Sequence, residues 1–268
     1  MSGGGVDGGG EKGGLPSGRV PRPLHRVLLL RTDGPGEGDS FENTGKNKFK
    51  IERKVVTRIV THLRAKEILR SRGFPVIPSF PVGSADEALL RAGEVGYPVV
   101  LKVDSEKVVH KTEAGAVVTG IEGPGELEEA FSSLRALLSW ADPEGRITLE
   151  KMVPPGVELF AGCVDDPSYG KVIAFGVGGV FLELYGDVTH RLAPITERDA
   201  FEMVEELRGK SLLEGFRGLP PVDRKALVGF FLRFSEFALQ EDFREVDVNP
   251  LICRGEEIFI VDARFVRG

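Results

Sequence analysis

The order of apolar and polar positions predicts alternating helices and strands from about residue 50 onward. Apolar residues recur at helical spacing over residues 52–72 and again over 126–140. Ser84 with Glu87 three residues later is typical of a helix start, so a further helix is expected from there to Gly96. Short apolar runs predict buried strands at residues 98–103, 116–121, 147–153, 157–164 and 171–177.

The last third of the chain continues with two helices and ends in a hairpin. Thr196 with Asp199 predicts the start of one helix, and Asp223 predicts the start of a second helix that is rich in phenylalanine. Two runs, 245–253 and 257–264, then flank a tight turn of two residues. Helices and strands interleave in two clusters, which predicts an α+β fold of two α/β subdomains.

The final hairpin brings polar side chains together at one end of one face. A turn at Gly255-Glu256 pairs residues whose numbers sum to 511, so Asn249 faces Asp262. One face is apolar throughout, whereas the other is apolar near the turn and carries Asp247, Asn249, Asp262 and Arg264 away from it. Directly opposed residues have Cβ atoms about 5 Å apart, so one hard cation could take oxygens from both strands. The pattern favours a magnesium–nucleotide site.

Composition narrows the class of protein without naming a function. The chain has 268 residues, 41% hydrophobic and 28% charged, which is typical of a globular protein with a substantial core. Its net charge of −6 argues against nucleic acid or an anionic membrane as the main partner. Cys163 and Cys253 are too few for a disulfide scaffold, so a cytoplasmic location is expected. Residues 1–48, rich in glycine and proline, are expected to form a disordered extension outside the fold.

Basic residues follow the strand 98–103 in a pattern that suits phosphate binding. Lys102 stands late in that strand, and the polar loop after it carries His110 and Lys111 and ends at Gly115. A lid over phosphates needs positive charge and backbone N–H groups of this kind. The competing interpretation is a solvated hairpin loop with an ordinary surface histidine.

A second connection, between the strands 147–153 and 157–164, could contact a nucleoside. It turns through Pro-Pro-Gly and enters the next strand at Glu158. Such a segment can offer backbone groups to an adenine edge and a carboxylate to ribose hydroxyls, although by itself it is only a turn. The segment before the turn consists of Glu150, Lys151, Met152 and Val153.

Other suggestive residues favour structural roles. The glycine-rich run 175–181 matches neither the GxGxxG nor the GxxxxGK[ST] pattern, so it predicts a bulge or a close backbone approach. Glu183, Asp187 and Arg191 recur every four residues and are interpreted either as groups that support the ligands of a site or as surface charges. Cys163 is interpreted as core packing, and His62, like His25 and His190, as structural or exposed.

Taken in order, these segments resemble one family: the ATP-grasp β subunit of ADP-forming (NDP-forming) acyl-CoA synthetases of the acetyl-CoA synthetase type. The match runs from about residue 58 to the C-terminus, and each piece is loose alone while the ordered set is specific. The pieces are Ala65-Lys-Glu-Ile-Leu69, Gly73-Phe-Pro-Val76, Gly96-Tyr-Pro-Val-Val-Leu-Lys102, Val109-His-Lys-Thr-Glu-Ala-Gly115, Glu150-Lys-Met-Val-Pro-Pro-Gly-Val-Glu158, Phe175-Gly-Val-Gly-Gly-Val-Phe181, Arg191-Leu-Ala-Pro194, Leu212-Leu-Glu-Gly-Phe-Arg-Gly218, Asp247-Val-Asn-Pro-Leu251 and Val261-Asp-Ala-Arg264.

The resemblance implies a reversible reaction in which acyl-CoA, ADP and phosphate give a carboxylic acid, ATP and CoA. It implies an ATP-grasp fold, with nucleotide bound between a lid of about 75–150 and a C-terminal subdomain of about 151–268 that includes the helix 52–72. It also implies Mg²⁺ as cofactor with ATP or ADP as substrate. The partner it implies is a CoA-binding α subunit that carries a phosphohistidine, in an α2β2 assembly.

Residue by residue, the resemblance places His110 at the position of a second phosphohistidine and Asp247 near the incoming phosphohistidine. Lys102 matches the lysine on the nucleotide phosphates, and Asn249 and Asp262 match the metal ligands. The remaining positions matched to nucleotide binding are Lys111, Gly115, Glu150, Lys151, Met152, Val153 and Glu158.

Two segments depart from the family pattern. An acidic lead similar to Glu-Tyr-Glu usually precedes Ala65-Lys-Glu, whereas this chain has Thr61-His-Leu-Arg64. We expect this change to alter an interface without necessarily touching the chemistry. The loop ends Ala-Gly-Ala116 where Gly-Gly is commoner, which leaves its conformation open.

Two other functions fit the same residues. A stand-alone ATP-grasp carboxylate ligase would use acyl phosphate without a phosphohistidine, so it would not need His110. A nucleotide-sensing module would bind Mg-ADP without transferring phosphate. The β-subunit hypothesis is preferred because the ordered motifs match it and because the chain contains no convincing CoA-binding Rossmann half.

Overall fold

The computed structural model describes residues 58–108, 114–179 and 185–268, which form two antiparallel sheets with helices packed against them. The predicted extension 1–48 lies outside these residues. In chain order the elements are β1 Arg58–Val60, α1 His62–Ser71, β2 Ser79–Val82, α2 Ala85–Val95, β3 Val99–Asp104, β4 Val117–Ile121, α3 Pro124–Ala141, β5 Arg146–Lys151, β6 Val157–Asp166, β7 Gly170–Val177, β8 Val188–Leu192, α4 Glu197–Glu205, a 3₁₀ turn Lys210–Glu214, α5 Arg224–Gln240, β9 Glu245–Arg254, β10 Glu257–Ile260 and β11 Ala263–Arg267.

The smaller sheet has four strands in the order β2-β5-β3-β4, and α2 and α3 pack against it. Its core forms because α3 places one row of apolar side chains on the face toward the sheet, at the spacing the sequence predicts. Ser84 begins α2 by accepting the Glu87 backbone N–H, and Gly96 ends it in a left-handed conformation, φ 77°. The buried residues of α3 are Leu127, Ala130, Phe131, Leu134 and Leu138.

The larger sheet has seven strands, six of them in the order β1-β11-β9-β6-β7-β8, with β10 paired to β9. The phenylalanines of α5 bury themselves against it, and Phe74 packs edge-on between them, 5.6 Å from the Phe230 ring centroid. Both predicted helix starts are confirmed: Thr196 forms a complete capping box with Asp199, and Asp223 accepts the N–H of Ala226.

The final hairpin has the predicted register throughout. Glu257 pairs with Arg254 beside the turn, and Ala263 pairs with Val248 farther along, so the residue numbers sum to 511 at both places. The turn is tight because Gly255 adopts a left-handed conformation, φ 55°. This register places Asn249 opposite Asp262.

The predicted helix over residues 52–72 is wrong at residues 58–60, and residues 52–57 lie outside the described residues. Residues Arg58–Val60 form β1, which pairs with β11, and the helix begins only at His62. Ile59 and Val60 have helical spacing, but they are also β-branched residues suited to a strand, and pairing with the far end of the chain decides the outcome. In the described part of the chain, no helix combines the length and apolar character needed to cross a membrane.

Candidate functional site

The facing pair Asn249 and Asp262 presents two oxygen-bearing side chains from neighbouring chain segments. The Asn249 backbone N–H donates to the Asp262 carbonyl at 3.2 Å, which holds the two residues side by side. The Asn249 side chain is exposed, and the Asp262 side chain retains 24% of its accessible area. A carboxylate and an amide oxygen suit Mg²⁺, which commonly takes one or two carboxylates and completes its shell with water and phosphate oxygens. Within the described ranges no cluster of three or more His, Cys, Asp or Glu side chains could hold a metal.

Lys102 reaches this pair from the other sheet. Its ammonium lies at the end of a side chain that is only 5% exposed, and it makes an ion pair of 2.8 Å with Glu150. The same nitrogen donates to the Val261 carbonyl at 3.2 Å. Val261 directly precedes Asp262, so the structure brings the predicted phosphate-binding lysine beside the predicted metal pair.

Glu150 is the centre of a buried charge cluster. Its carboxylate, with no exposed area, accepts from Lys66 Nζ at 2.7 Å, lies 2.9 Å from His62 Nε2 and also accepts from the Ser79 hydroxyl. Burial alone would raise the pKa of Glu150, but the charges of Lys102 and Lys66 and the His62 contact outweigh it and hold the pKa well below its usual range. Glu150 is therefore a carboxylate that neutralises the cations around it.

Lys66 is the second buried ammonium of the cluster. Burial lowers its pKa from 10.5 to about 8, against the attraction of Glu150, and the nearby Lys102 charge lowers it further. Lys66 also donates to the Val261 carbonyl at 3.2 Å. The carbonyl of Val261 thus receives donors from both lysines, which ties the β10–β11 connection to the smaller sheet.

His62, which the sequence analysis interpreted as structural or exposed, lies at the centre of the site. Its side chain is 1% exposed, and its two ring nitrogens contact Asp262 and Glu150. The Thr61-His-Leu-Arg64 departure, which was expected to alter an interface without necessarily touching the chemistry, places His62 inside the candidate site, whereas Arg64 is exposed. A signal existed: His62 and Lys66 are four residues apart, on the helix face that also buries Ala65.

The connection after Glu150 is held by its neighbours. Lys151 donates from Nζ to the carbonyls of Gly96 and Tyr97, and the Met152 N–H donates to the Pro98 carbonyl. These bonds fix the path of the backbone through Val153 toward the Pro-Pro-Gly turn. Of the residues matched to nucleoside contacts, Met152 lies at the surface and Val153 is half-buried.

Glu158 lies apart from the charge cluster. It is an exposed residue of β6, and its backbone carbonyl accepts the Gly178 N–H at 2.8 Å. A Cβ at Gly178 would lie 3.2 Å from the Leu159 backbone, so the predicted close approach of the glycine-rich run is confirmed there.

Asp247 lies on β9, two residues before Asn249, opposite Arg264. Its Oδ1 atom is buried and has no hydrogen-bond partner among the described residues. Burial raises the pKa of Asp247 to about 7, and Glu245 and Asp262 add to the rise while Arg264 opposes it. Asp247 is thus a carboxyl group with unused hydrogen-bonding capacity on the polar face of the hairpin.

The predicted loop residues His110 and Lys111 lie outside the described residues. On the far side of that gap, Gly115 is exposed in a left-handed conformation, φ 66°, and the Val103 N–H donates to the Ala116 carbonyl. The loop therefore begins and ends on the strand pair that carries Lys102.

Two residues considered for chemistry have structural roles. Cys163 is buried in the core of the larger sheet, and burial raises the pKa of its thiol to about 12, so it is not a thiolate nucleophile. Asp187 accepts the backbone N–H groups of Arg208 and Gly209, which fixes the chain after α4.

The chain matches a known domain both in sequence and in overall structure. A family model described as an ATP-grasp domain matches residues 53–266. The β subunit of acetate–CoA ligase (ADP-forming) I from Pyrococcus furiosus is 37% identical over 218 residues, covering 80% of this chain and 94% of that protein. The chain belongs to the ATP-grasp family of ADP-forming acetate–CoA ligase β subunits.

Other relatives show the same domain in different settings. Acetate–CoA ligase (ADP-forming) I from Archaeoglobus fulgidus is 38% identical over 232 residues, covering 81% of this chain but only 34% of that longer protein. Acetyl-coenzyme A synthetase 1 of Ca. Korarchaeum cryptofilum, solved with coenzyme A and Ca-AMPCP, is 36% identical, with a TM-score of 0.74 over 78% of this chain and 93% of that one. A second structure of that synthetase contains coenzyme A and Mg-AMPPCP, and its phosphohistidine segment points towards the nucleotide binding site. It is 35% identical to this chain, with a TM-score of 0.67 over 78% of this chain and 93% of that one.

Proposed function

We propose that this chain is the nucleotide-binding subunit of an ADP-forming acyl-CoA synthetase. The reaction is acyl-CoA, ADP and phosphate to carboxylic acid, ATP and CoA, and this subunit passes the phosphoryl group between a phosphohistidine and ADP. One observation carries the proposal: Lys102 of the smaller sheet lies 3.2 Å from the carbonyl of Val261, next to Asp262 of the larger sheet. A phosphate group bound there would lie between the Lys102 ammonium and the two oxygen ligands proposed for Mg²⁺.

The residues present suit phosphoryl transfer, which depends on positioning and charge neutralisation more than on covalent help from the protein. Asn249 and Asp262 would hold Mg²⁺, which neutralises phosphate charge when bound. Lys102 would bind the phosphates from the other side. Its burial strengthens that interaction, because an ion pair gains strength as water is excluded.

Lys102 is available to a nucleotide because Glu150 does not depend on it alone. When Lys102 turns to a phosphate, the Glu150 carboxylate keeps its bonds to Lys66, His62 and Ser79. A buried carboxylate left without partners would be costly, so these bonds reduce the free energy needed for the exchange.

We further propose that His110 takes the phosphoryl group in a relay and that Asp247 receives the incoming phosphohistidine. An imidazole nitrogen is a competent nucleophile, and the unused Oδ1 of Asp247 could accept a hydrogen bond from an arriving ring N–H. The phosphohistidine would come from a CoA-binding α subunit. The two kinds of subunit would form an α2β2 enzyme in the cytoplasm. The longer relative from Archaeoglobus, which carries this domain in one third of its length, supports such a partner.

The test is transfer of label from [γ-³²P]ATP to the α subunit in the presence of Mg²⁺. We expect labelled α subunit with the wild-type chain and at least about a hundredfold slower labelling with Lys102→Met, because loss of one preorganised charge in a water-excluded site is typically that costly. Lys225→Met, at an exposed lysine on α5, is the matched control and should label normally. Mg-ADP binding without any label transfer would instead identify a sensing module, and full activity of His110→Ala would remove the relay.

A further inference from the structure

His62 joins the predicted metal ligand to the buried charge cluster. Its Nδ1 contacts Asp262 Oδ1, and its Nε2 lies 2.9 Å from Glu150 Oε1. Asp262 belongs to the β10–β11 connection of the larger sheet, whereas Glu150 belongs to β5 of the smaller one. A single imidazole therefore spans two carboxylates from the two sides of the site.

We propose that His62 is a positioning residue for the metal site, which orients the Asp262 carboxylate for Mg²⁺ through Nδ1. This inference rests on the proposed function, since it takes Asp262 as a metal ligand. Carboxylates that bind metals are commonly held by hydrogen bonds from a second layer of side chains, and loss of such a bond typically lowers metal affinity about 10- to 100-fold.

The orientation of Asp262 is fixed by two contacts on the same oxygen. Oδ1 contacts His62 Nδ1 and accepts the Ala263 backbone N–H at 2.8 Å. With Oδ1 held at two points, the carboxylate cannot rotate about its Cβ–Cγ bond without breaking both contacts. These two contacts therefore fix the plane of the carboxylate, on a residue whose backbone carbonyl accepts the Asn249 N–H.

The imidazole itself cannot turn away, because its other nitrogen is held. Glu150 is fixed by Lys66 at 2.7 Å and by Lys102 at 2.8 Å, and none of these side chains is more than 5% exposed. The ring of His62 is 1% exposed, so water has little access to either contact. Rigid support of this kind is what a positioning residue requires.

The two contacts of His62 can be separated by substitution. In His62→Asn the amide nitrogen can reach the place of Nδ1, whereas in His62→Gln it can reach the place of Nε2. If Nδ1 orients Asp262, the asparagine variant keeps the metal site and the glutamine variant loses it. A residue that serves only to fill space or stabilise the fold would not separate the two variants in this order.

The experiment measures binding of Mn²⁺ to the full chain in the presence of ADP, from the electron paramagnetic resonance signal of free Mn²⁺. We expect His62→Asn within about threefold of wild type and His62→Gln weaker by about 10- to 100-fold. Arg64→Gln, at an exposed position in the same helical turn, is the matched control and should bind Mn²⁺ as wild type does. Midpoints of thermal unfolding without metal show whether each variant is folded.

The outcomes distinguish this inference from the function on which it rests. Wild-type affinity in His62→Gln, or equal losses in both variants, would overturn the role of Nδ1 while leaving the nucleotide site in place. Absence of Mn²⁺ binding by the wild-type chain with ADP would overturn the metal site and the inference with it. Loss confined to His62→Gln supports the inference.

Discussion

At the scale of single residues, one buried carboxylate holds the candidate site together. Glu150 neutralises two ammonium groups and contacts an imidazole, all of them at most 5% exposed. Such a cluster is a weak source of net stability, because desolvation offsets much of the attraction between its charges. Removing the carboxylate is different, since it leaves two buried ammonium groups without a counter-charge.

We expect Glu150→Gln to lower the free energy of unfolding by about 3–5 kcal/mol at neutral pH, because Lys66 and Lys102 lose their counter-charge. Urea denaturation of the nucleotide-free chain measures this. The control is Glu94→Gln, at an exposed carboxylate of α2, which should change stability by less than about 0.5 kcal/mol. Adding Lys66→Met to Glu150→Gln should restore part of the loss, and a further loss would contradict this account.

The stability difference between wild type and Glu150→Gln should also depend on pH. The folded-state pKa of Glu150 lies below its ordinary value of 4.5, so its stabilising contribution is complete above that value and is lost as pH falls through the folded-state pKa. The difference in stability between wild type and Glu150→Gln should therefore shrink on acidification below 4.5. Urea midpoints across an acid series measure it, and a difference that grows with acid would be incompatible with the lowered pKa.

At the scale of helices and strands, local sequence determines where helices start and how the hairpin pairs, but it does not determine pairing between distant strands. Ser84, Thr196 and Asp223 each begin a helix as predicted, because a capping side chain acts on backbone groups two or three residues away. The hairpin register was predictable for a similar reason, since a two-residue turn leaves no freedom in the pairing. β1 was not predictable, because its partner β11 lies at the other end of the chain.

The start of α2 offers a direct test of the capping contribution. Ser84→Ala removes the acceptor for the Glu87 N–H and should cost about 1 kcal/mol of stability. Ser133→Ala, at an exposed position inside α3, replaces serine with the better helix former and should be neutral or slightly stabilising. Thermal unfolding of both variants measures the difference, and equal effects would show that the cap is not what stabilises the start of α2.

Substitution by alanine should change the free energy of unfolding in opposite directions at two glycines. At Gly156, just before β6, a Cβ would lie 2.6 Å from the Cys253 carbonyl oxygen, so Gly156→Ala should cost about 1–3 kcal/mol as β6 and β9 move apart. At Gly93, an exposed residue inside α2, a Cβ meets nothing within 4 Å, so Gly93→Ala should gain about 0.5–1 kcal/mol. Urea unfolding measures the sign of both changes, and stabilisation by Gly156→Ala would contradict the close packing of the Pro-Pro-Gly turn against β9.

At the scale of the whole molecule, the site exists because α1 touches both sheets. His62 and Lys66 extend from one helix face to Glu150 on the smaller sheet and to residues 261–262 of the larger one, and Asp104 at the end of β3 accepts the Leu63 N–H at 3.1 Å. Residue patterns alone predicted the facing pair Asn249 and Asp262. They did not predict the meeting with Lys102, because that contact spans 159 positions and depends on how two sheets pack.

This arrangement predicts that Mg-ADP stabilises both sheets together, since the ligand would contact Lys102 on one and Asn249 and Asp262 on the other. At a concentration one hundred times Kd, the free energy of unfolding should rise by about 2.7 kcal/mol, which thermal unfolding would show as a higher midpoint. EDTA should remove most of the rise. Lys102→Met should fold, because Glu150 keeps Lys66, yet gain little from Mg-ADP, whereas the surface control Lys225→Met should respond as wild type does. If Mg-ADP raised the midpoint of Lys102→Met as much as that of wild type, the phosphates would have to bind away from Lys102.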